Sequence, residues 1–167
     1  MRILITGPEC SGKSTLARDL SKAIQCAIIP ELARPYLTLS HGDYTLSDLN
    51  CLADQQWAIE QLYRSLKPRT LVFDTGALVL EIWAAQKFKE ELVRPTMLNE
   101  RYDIIVLCQP DMPWEYDALR ANPEDRERLA RIYEEKLSES SVLWISVSGP
   151  PDTRLSQALQ FYQENKL

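Results

Sequence analysis

The sequence predicts an α/β fold: a doubly wound, five-stranded parallel sheet with helices on both faces, forming a three-layer sandwich. Two observations lead there. Five short apolar runs, among them Ile3-Leu4-Ile5 and Leu71-Val72-Phe73, alternate with longer stretches of helical period. Strands that are separated by helices in this way build a parallel sheet covered on both sides, and right-handed crossovers make it doubly wound. At the N-terminus, an apolar strand, a loop bounded by glycines and a helix follow one another directly.

The elements can be justified in order. Arg2 to Ile5 reads as a buried strand, and residues 7–12 as a loop. From Lys13 to Ile24, Leu16, Ala17, Leu20, Ala23 and Ile24 fall on one helical face. Ala27 to Ile29 is a second strand, stopped by Pro30. Thr45, with Asp48 three residues on, is a near capping box that opens a long helix ending at Lys67-Pro68. Thr70 to Phe73 is a third strand, and a helix from Ala77 to about Leu92 follows it. Ile104 to Cys108 is the fourth strand. Asn122-Pro123 supplies a cap residue and a proline at the first helical position, opening a charged helix to about Ser138. Val142 to Val147 is the fifth strand, and Thr153 to Glu164 the closing helix.

With 167 residues, 45% of them apolar and 26% charged, the chain is expected to be one domain over residues 1–167. No apolar run approaches the ~18 residues of a membrane span. The apolar run near the N-terminus is too short for a secretory signal, so the cytoplasm is the expected compartment. The net charge is −5 and the basic residues are unclustered, which leaves no footprint for a nucleic acid. Cys10, Cys26, Cys51 and Cys108 form no C-x-x-C pair, and His41 is the single histidine, so no zinc site can be assembled. The cysteines are read as reduced, small apolar residues, and His41 as a loop residue.

Residues 7–14 read Gly-Pro-Glu-Cys-Ser-Gly-Lys-Ser and satisfy G-x-x-x-x-G-K-[ST] at each fixed position. The chemistry asks for these types. Gly7 and Gly12 let the backbone curl so that successive N–H groups face phosphate oxygens. The helix beginning at Lys13 directs its positive end at the same anion. Lys13 supplies a mobile positive charge to the β- and γ-phosphates, and Ser14 offers a hydroxyl to Mg²⁺. The expected nucleotide contacts are therefore Gly7, Glu9, Cys10, Ser11, Gly12, Lys13, Ser14 and Thr15. The expected cofactors are ATP and Mg²⁺, and the expected fold is that of a P-loop NTPase of the nucleoside- and nucleotide-kinase kind.

More than the loop resembles a known family. GPECSGKSTLA (7–17), PELARPYL (30–37), FDTGALVLEIW (73–83) and YDIIVLCQPDMPWEYDALRANPEDR (102–126) resemble, in one order, the ribosylnicotinamide kinase domain of NadR-type proteins and its standalone P-loop relatives, within the AAA-type ATP-binding family. The resemblance implies ATP-dependent phosphorylation of the ribose 5′-hydroxyl of nicotinamide riboside, a small-molecule partner. The adenylyltransferase domain of the larger members needs an H-x-G-H-type site, which one histidine cannot supply. Where the family usually reads Asp-Thr-Asp, this chain has Asp74-Thr75-Gly76. On this reading, Gly76→Asp should sharpen use of nicotinamide riboside.

Asp74 ends the third strand on the ligand-binding side of a doubly wound sheet, where a carboxylate can hold Mg²⁺ or take a hydroxyl proton. Its alternative reading is a helix cap. Glu31, after the second strand, is expected to contact the acceptor, or else to pair with Arg34. Either carboxylate could serve as base. Residues 111–131 are read as a lid, with Arg120 and Arg126 clamping the transferring phosphoryl group. Arg128 and Arg131 are expected on a solvated face. Tyr36, Trp83 and Trp114 are candidate partners for a pyridinium ring or plain core residues. Ser148-Gly149-Pro150 is either a wrap for the adenine or a simple turn.

Three rival functions remain open. One is a kinase of another nucleoside or small metabolite, and another is a nucleotide-binding regulatory module. An aspartic-protease reading of Asp-Thr-Gly fits worst, because this segment runs from a strand straight into a helix.

Overall fold

The computed structural model describes residues 1–114 and 125–166. Its five strands are β1 (Arg2–Thr6), β2 (Ala27–Ile29), β3 (Leu71–Asp74), β4 (Ile104–Cys108) and β5 (Leu143–Val147). All pair in parallel, in the order β2-β3-β1-β4-β5. The predicted fold class is observed, and the first strand is central.

Alternation along the strands divides the core in two. Leu4 lies level with Phe73 and Ile105, while Ile3 lies level with Val72 and Ile104. Successive side chains point to opposite faces of a sheet. Leu4, Phe73 and Ile105 therefore meet Leu78 and Ile82 of α4 (Leu78–Trp83) and Leu129, Tyr133 and Leu137 of α6 (Arg126–Ser138). Ile3, Ile5, Val72 and Val106 instead meet α1 (Lys13–Ala23) and α7 (Pro151–Asn165). A third apolar cluster joins α2 (Ala33–Leu39) and α3 (Leu46–Ser65) to α4 beyond the sheet's edge.

The expected capping box opens α3. Thr45 Oγ1 accepts from the Asp48 N–H at 3.3 Å, and Asp48 Oδ2 accepts from the Thr45 N–H at 2.7 Å. Four elements differ from expectation. Helix α2 was not signalled, since it contains Pro35; that proline lies in the first turn, where an N–H has no intrahelical acceptor to lose. The helix expected from Ala77 to Leu92 stops early: α4 passes into a π-helical turn, Ala84–Phe88, that ends at Lys89 with φ +59°. This turn brings Trp83 and Phe88 onto Tyr44, with ring centroids 5.8 and 6.0 Å away. A short helix, α5 (Leu98–Arg101), precedes β4. Helix α6 starts at Arg126 with Asp125 at its cap, and the expected Asn122-Pro123 start lies outside the described residues. Among the described residues, no helix is long and apolar enough to cross a membrane.

Candidate active site

The carboxyl ends of the strands carry the expected site. Gly7 follows β1, Glu31 comes two residues after β2, Asp74 closes β3, and Gln109 and Ser148 follow β4 and β5. A cavity of about 300 Å³ opens there. One wall is the phosphate loop, residues 7–15, including every loop residue expected to contact nucleotide. The rest of the lining includes Glu31, Arg34, Val79, Ile82, Trp83 and Tyr133.

The loop has the shape its sequence calls for. Gly7 has φ +141°, and a Cβ there would meet the Cys108 carbonyl oxygen at 2.5 Å, so the backbone of β4 itself excludes any side chain. Cys10 adopts φ +52°, a left-handed residue in the middle of the curl. The Pro8 carbonyl accepts from Ser11 Oγ at 2.7 Å and from Lys13 Nζ at 2.6 Å. That contact folds the ammonium back onto the loop it is expected to serve. No side chain caps α1, so its amino-terminal turn is left to other acceptors. Beneath Gly7, burial pushes the Cys108 thiol up to about 11, which keeps it a neutral packing group. None of the four cysteines is joined in a disulfide.

Glu31 lines the same cavity as the Lys13 charge. Burial raises its carboxyl above the ordinary carboxylate range; Lys13 and Arg34 oppose the shift, while Asp74 and Glu9 add to it. The expected pairing with Arg34 is a loose contact of 4.0 Å. Asp74 sits lower, at the end of β3, and is 8% exposed; Thr75, rather than Asp74, lines the cavity. Asp74 Oδ1 accepts from Thr75 Oγ1 at 3.1 Å. The helix-cap alternative does not apply, because α4 is preceded by Ala77 and has no side-chain cap.

The turn after Asp74 is tight. The Gly76 N–H donates to the Asp74 carbonyl at 2.9 Å, and the Thr75 between them has φ +73°. A hydrogen bond closing three residues around a positive φ is a strained γ-turn, and a β-branched residue seldom adopts that φ. Gly76 follows with φ +62°, and a Cβ on it would meet Leu4 Cδ1 at 2.6 Å and the Tyr102 hydroxyl at 2.8 Å. The structure therefore corrects the expectation for Gly76→Asp. An added side chain here enters the core rather than the acceptor pocket.

The lid arginines separate. Arg120 and the segment around it lie outside the described residues. Arg126 does not line the cavity itself: its Nη1 donates to the carbonyl of Met112, a lining residue, at 2.9 Å, and its guanidinium lies 5.5 Å from the centre of the Trp114 ring. Arg128 is not merely solvated, since it binds Asp125 and, at 2.6 Å, Gln86 Oε1 on the π-helical turn. Of the three aromatic candidates, Trp83 lines the cavity, while Tyr36 packs with α2 and α3 and Trp114 faces Arg126. Tyr133 was missed; the one signal in the sequence is its helical spacing with Leu129 and Leu137, which is a core pattern. Burial raises its phenol, leaving a neutral hydroxyl at the wall.

A hard divalent cation fits the oxygen donors present. Ser14 lines the cavity, and Asp74 is close enough to Glu31 for its charge to act on the Glu31 carboxyl. No three acidic, histidine or cysteine side chains converge as a metal site among the described residues. Few protein ligands and retained water are what Mg²⁺ prefers.

This arrangement has relatives. Over 97% of its length, the chain is 24% identical to the trifunctional NAD biosynthesis/regulator protein NadR of Escherichia coli (strain K12), of which it spans 42%. Two solved NadR structures superpose on 99% of the chain. One is a complex with NAD and AMP-PNP, at TM-score 0.77, 21% identity and 49% of that protein covered. The other is a complex with NR, at TM-score 0.73, 19% identity and 51% covered. Deoxyadenosine kinase from M. mycoides matches over 98% of this chain and all of its own, at TM-score 0.68 and 18% identity. The chain thus has a kinase-like P-loop fold and spans about half the length, or less, of the NadR proteins it matches. With residues 2–154 matching its model, the chain belongs to the AAA domain family.

Proposed function

We propose that this chain is a small-molecule kinase acting as a single domain. It would transfer the γ-phosphoryl group of ATP to the ribose 5′-hydroxyl of nicotinamide riboside. The observation that carries the proposal is one cavity lined by the phosphate loop together with a half-buried carboxylate, Glu31, and an aromatic ring, Trp83. The NadR complexes with NR and with AMP-PNP support the two ligands.

In this reading the loop amides of residues 7–15 cradle the phosphates, and Lys13 leaves the Pro8 carbonyl for the β- and γ-oxygens. Ser14 and Asp74 would hold Mg²⁺, which when bound neutralises the charge of the transferring group. The bond from the γ-phosphorus to its bridging oxygen breaks, and one to the ribose oxygen forms. Glu31 accepts the hydroxyl proton. Burial raises its proton affinity, which strengthens it as a proton acceptor. The lid at about 111–131, through Arg120 and Arg126, would close over the phosphates; Arg126 must then exchange the Met112 carbonyl for them. Trp83 offers its face to the cationic pyridinium.

The test is transfer from [γ-³²P]ATP to nicotinamide riboside by the purified protein and by Lys13→Ala. Labelled mononucleotide formed by the first and lost in the second is the expected result. No labelled mononucleotide from the unaltered protein overturns the proposal. The match to deoxyadenosine kinase favours a second reading, with a deoxynucleoside as acceptor, and a panel of ribosides and deoxyribosides separates the two.

A further inference from the structure

Arg154 lies in the first turn of α7 and is 1% exposed. Its guanidinium is not aimed into the cavity. Nη1 donates to the Ser11 carbonyl at 2.9 Å, Nη2 to the Gln109 carbonyl at 3.1 Å, and Nε to the Gly149 carbonyl at 2.7 Å. The same group pairs with Asp111, whose Oδ2 accepts from the Gly149 N–H at 2.6 Å. The Ser148 N–H donates to Gln157 Oε1 at 3.2 Å. One planar cation thus ties together the loops that leave β1, β4 and β5. These groups hold Ser148-Gly149 to α7 and to Asp111.

A buried cation carries a large desolvation cost, and an apolar side chain of similar size would fill the space without it. The contacts show what the charge secures. A trans peptide points its C=O and the next N–H to opposite sides of one plane. Holding the Ser11 carbonyl toward Arg154 therefore turns the Gly12 N–H away from Arg154, and Gly12 lines the cavity. We propose that Arg154 is a positioning residue for the donor nucleotide: it orients the Ser11–Gly12 peptide of the phosphate loop and, with Asp111, fixes the loop at Gly149 relative to it. Arg154 touches no phosphate itself. The inference rests on the proposed binding of a nucleoside triphosphate at residues 7–15.

Lysine keeps the charge but cannot reach three carbonyls with one rigid fork. Arg154→Lys should weaken AMP-PNP binding in the presence of Mg²⁺, measured by calorimetry, by about tenfold or more, the scale of a misplaced binding group. KM for ATP should rise alongside, with KM for the riboside unchanged. Asp111→Ala removes the partner from the more exposed end of the cluster and should produce a smaller loss of the same kind. The double variant should lose less than the product of the two single losses, because both act on one cluster. Arg154→Lys with unaltered AMP-PNP affinity, or with donor and acceptor affinity falling by one factor, overturns the inference. If Arg154→Lys does not fold, Asp111→Ala decides, and unchanged AMP-PNP affinity there overturns it equally. Failure of the unaltered protein to bind AMP-PNP overturns the phosphate-loop reading and this inference together.

Discussion

Replacing Gly76 by alanine tests the packing of the turn that carries Asp74. Two costs add at this site. At φ +62° an L-residue is in the left-handed region, at about 1–2 kcal/mol. The new Cβ would lie 2.6 Å from Leu4 Cδ1 and 2.8 Å from the Tyr102 hydroxyl, far inside contact distance. Both neighbours are buried, Leu4 at 0% and Tyr102 at 1% exposed, so a shift of either disturbs the packing around it. Overpacking of such a core costs about 1–3 kcal/mol. Together they give about 2–5 kcal/mol, a fall in Tm of about 4–20 °C at this chain length. Gly42 supplies the control, since it has φ +84° and nothing within 4 Å of a Cβ. Gly42→Ala should carry the backbone cost alone, so the difference between the two variants isolates the packing. The assay is thermal unfolding followed by circular dichroism at a fixed heating rate. Equal Tm values for the two alanine variants would refute the argument, and so would a stable Gly76→Asp.

Tyr102→Phe removes one of the two atoms that the Gly76→Ala methyl would meet inside 3.0 Å, and also the donor to Glu60 Oε1 at 3.2 Å. Alone it should destabilise by about 1–3 kcal/mol, but combined with Gly76→Ala the losses should sum to less than additive by thermal melts. Glu31→Gln should show opposite effects on stability and activity. Burial raises the Glu31 carboxyl in the folded state, so its favourable contribution is complete below the unfolded pKa and disappears as pH rises through the folded one. Glutamine does not ionise, so the variant should melt above the unaltered protein at pH 8, with the gap closing in acid. In the proposed reaction, kcat should meanwhile drop by about 10²-fold. Thr45→Ala removes the capping box of α3 and should cost about 1 kcal/mol, read as a shift in urea midpoint, with activity at 25 °C retained because Thr45 is not on the cavity wall.

What the sequence revealed and what it withheld divide by range. The phosphate loop was fully legible, because its chemistry lies in eight consecutive residues between a strand and a helix. The strands were legible because apolar runs this short, broken by glycine, proline or charge, can only be buried strands in an alternating chain. The capping box was legible because it closes over three residues. Helix α2 was hidden by Pro35, whose tolerance depends on its distance from the helix start rather than on its identity. The π-helical turn was hidden because the helical period of α4 simply continues through it, and what accompanies the change is Tyr44, far away in the chain.

Gly76 shows how a single letter can mislead without its neighbours. Set against the family resemblance, it reads as a carboxylate lost from the acceptor site. In the fold it is a position where Leu4 and Tyr102 leave no space for a Cβ, and Tyr102 is held there by Glu60 of α3. Glu60 is itself fully buried, within 3.8 Å of Arg101, whose guanidinium lies 4.4 Å from the centre of the Trp57 ring. The glycine is thus one end of a packed cluster that reaches along one face of the sheet to α3. Arg154 marks the same boundary from the other side. It contacts Ser11 across 143 residues of chain, and nothing within its own helical turn distinguishes it from a surface arginine. A carboxylate or lysine that meets substrate can be inferred from a local motif. The residues that hold the motif in shape are chosen by contacts that only the folded chain creates.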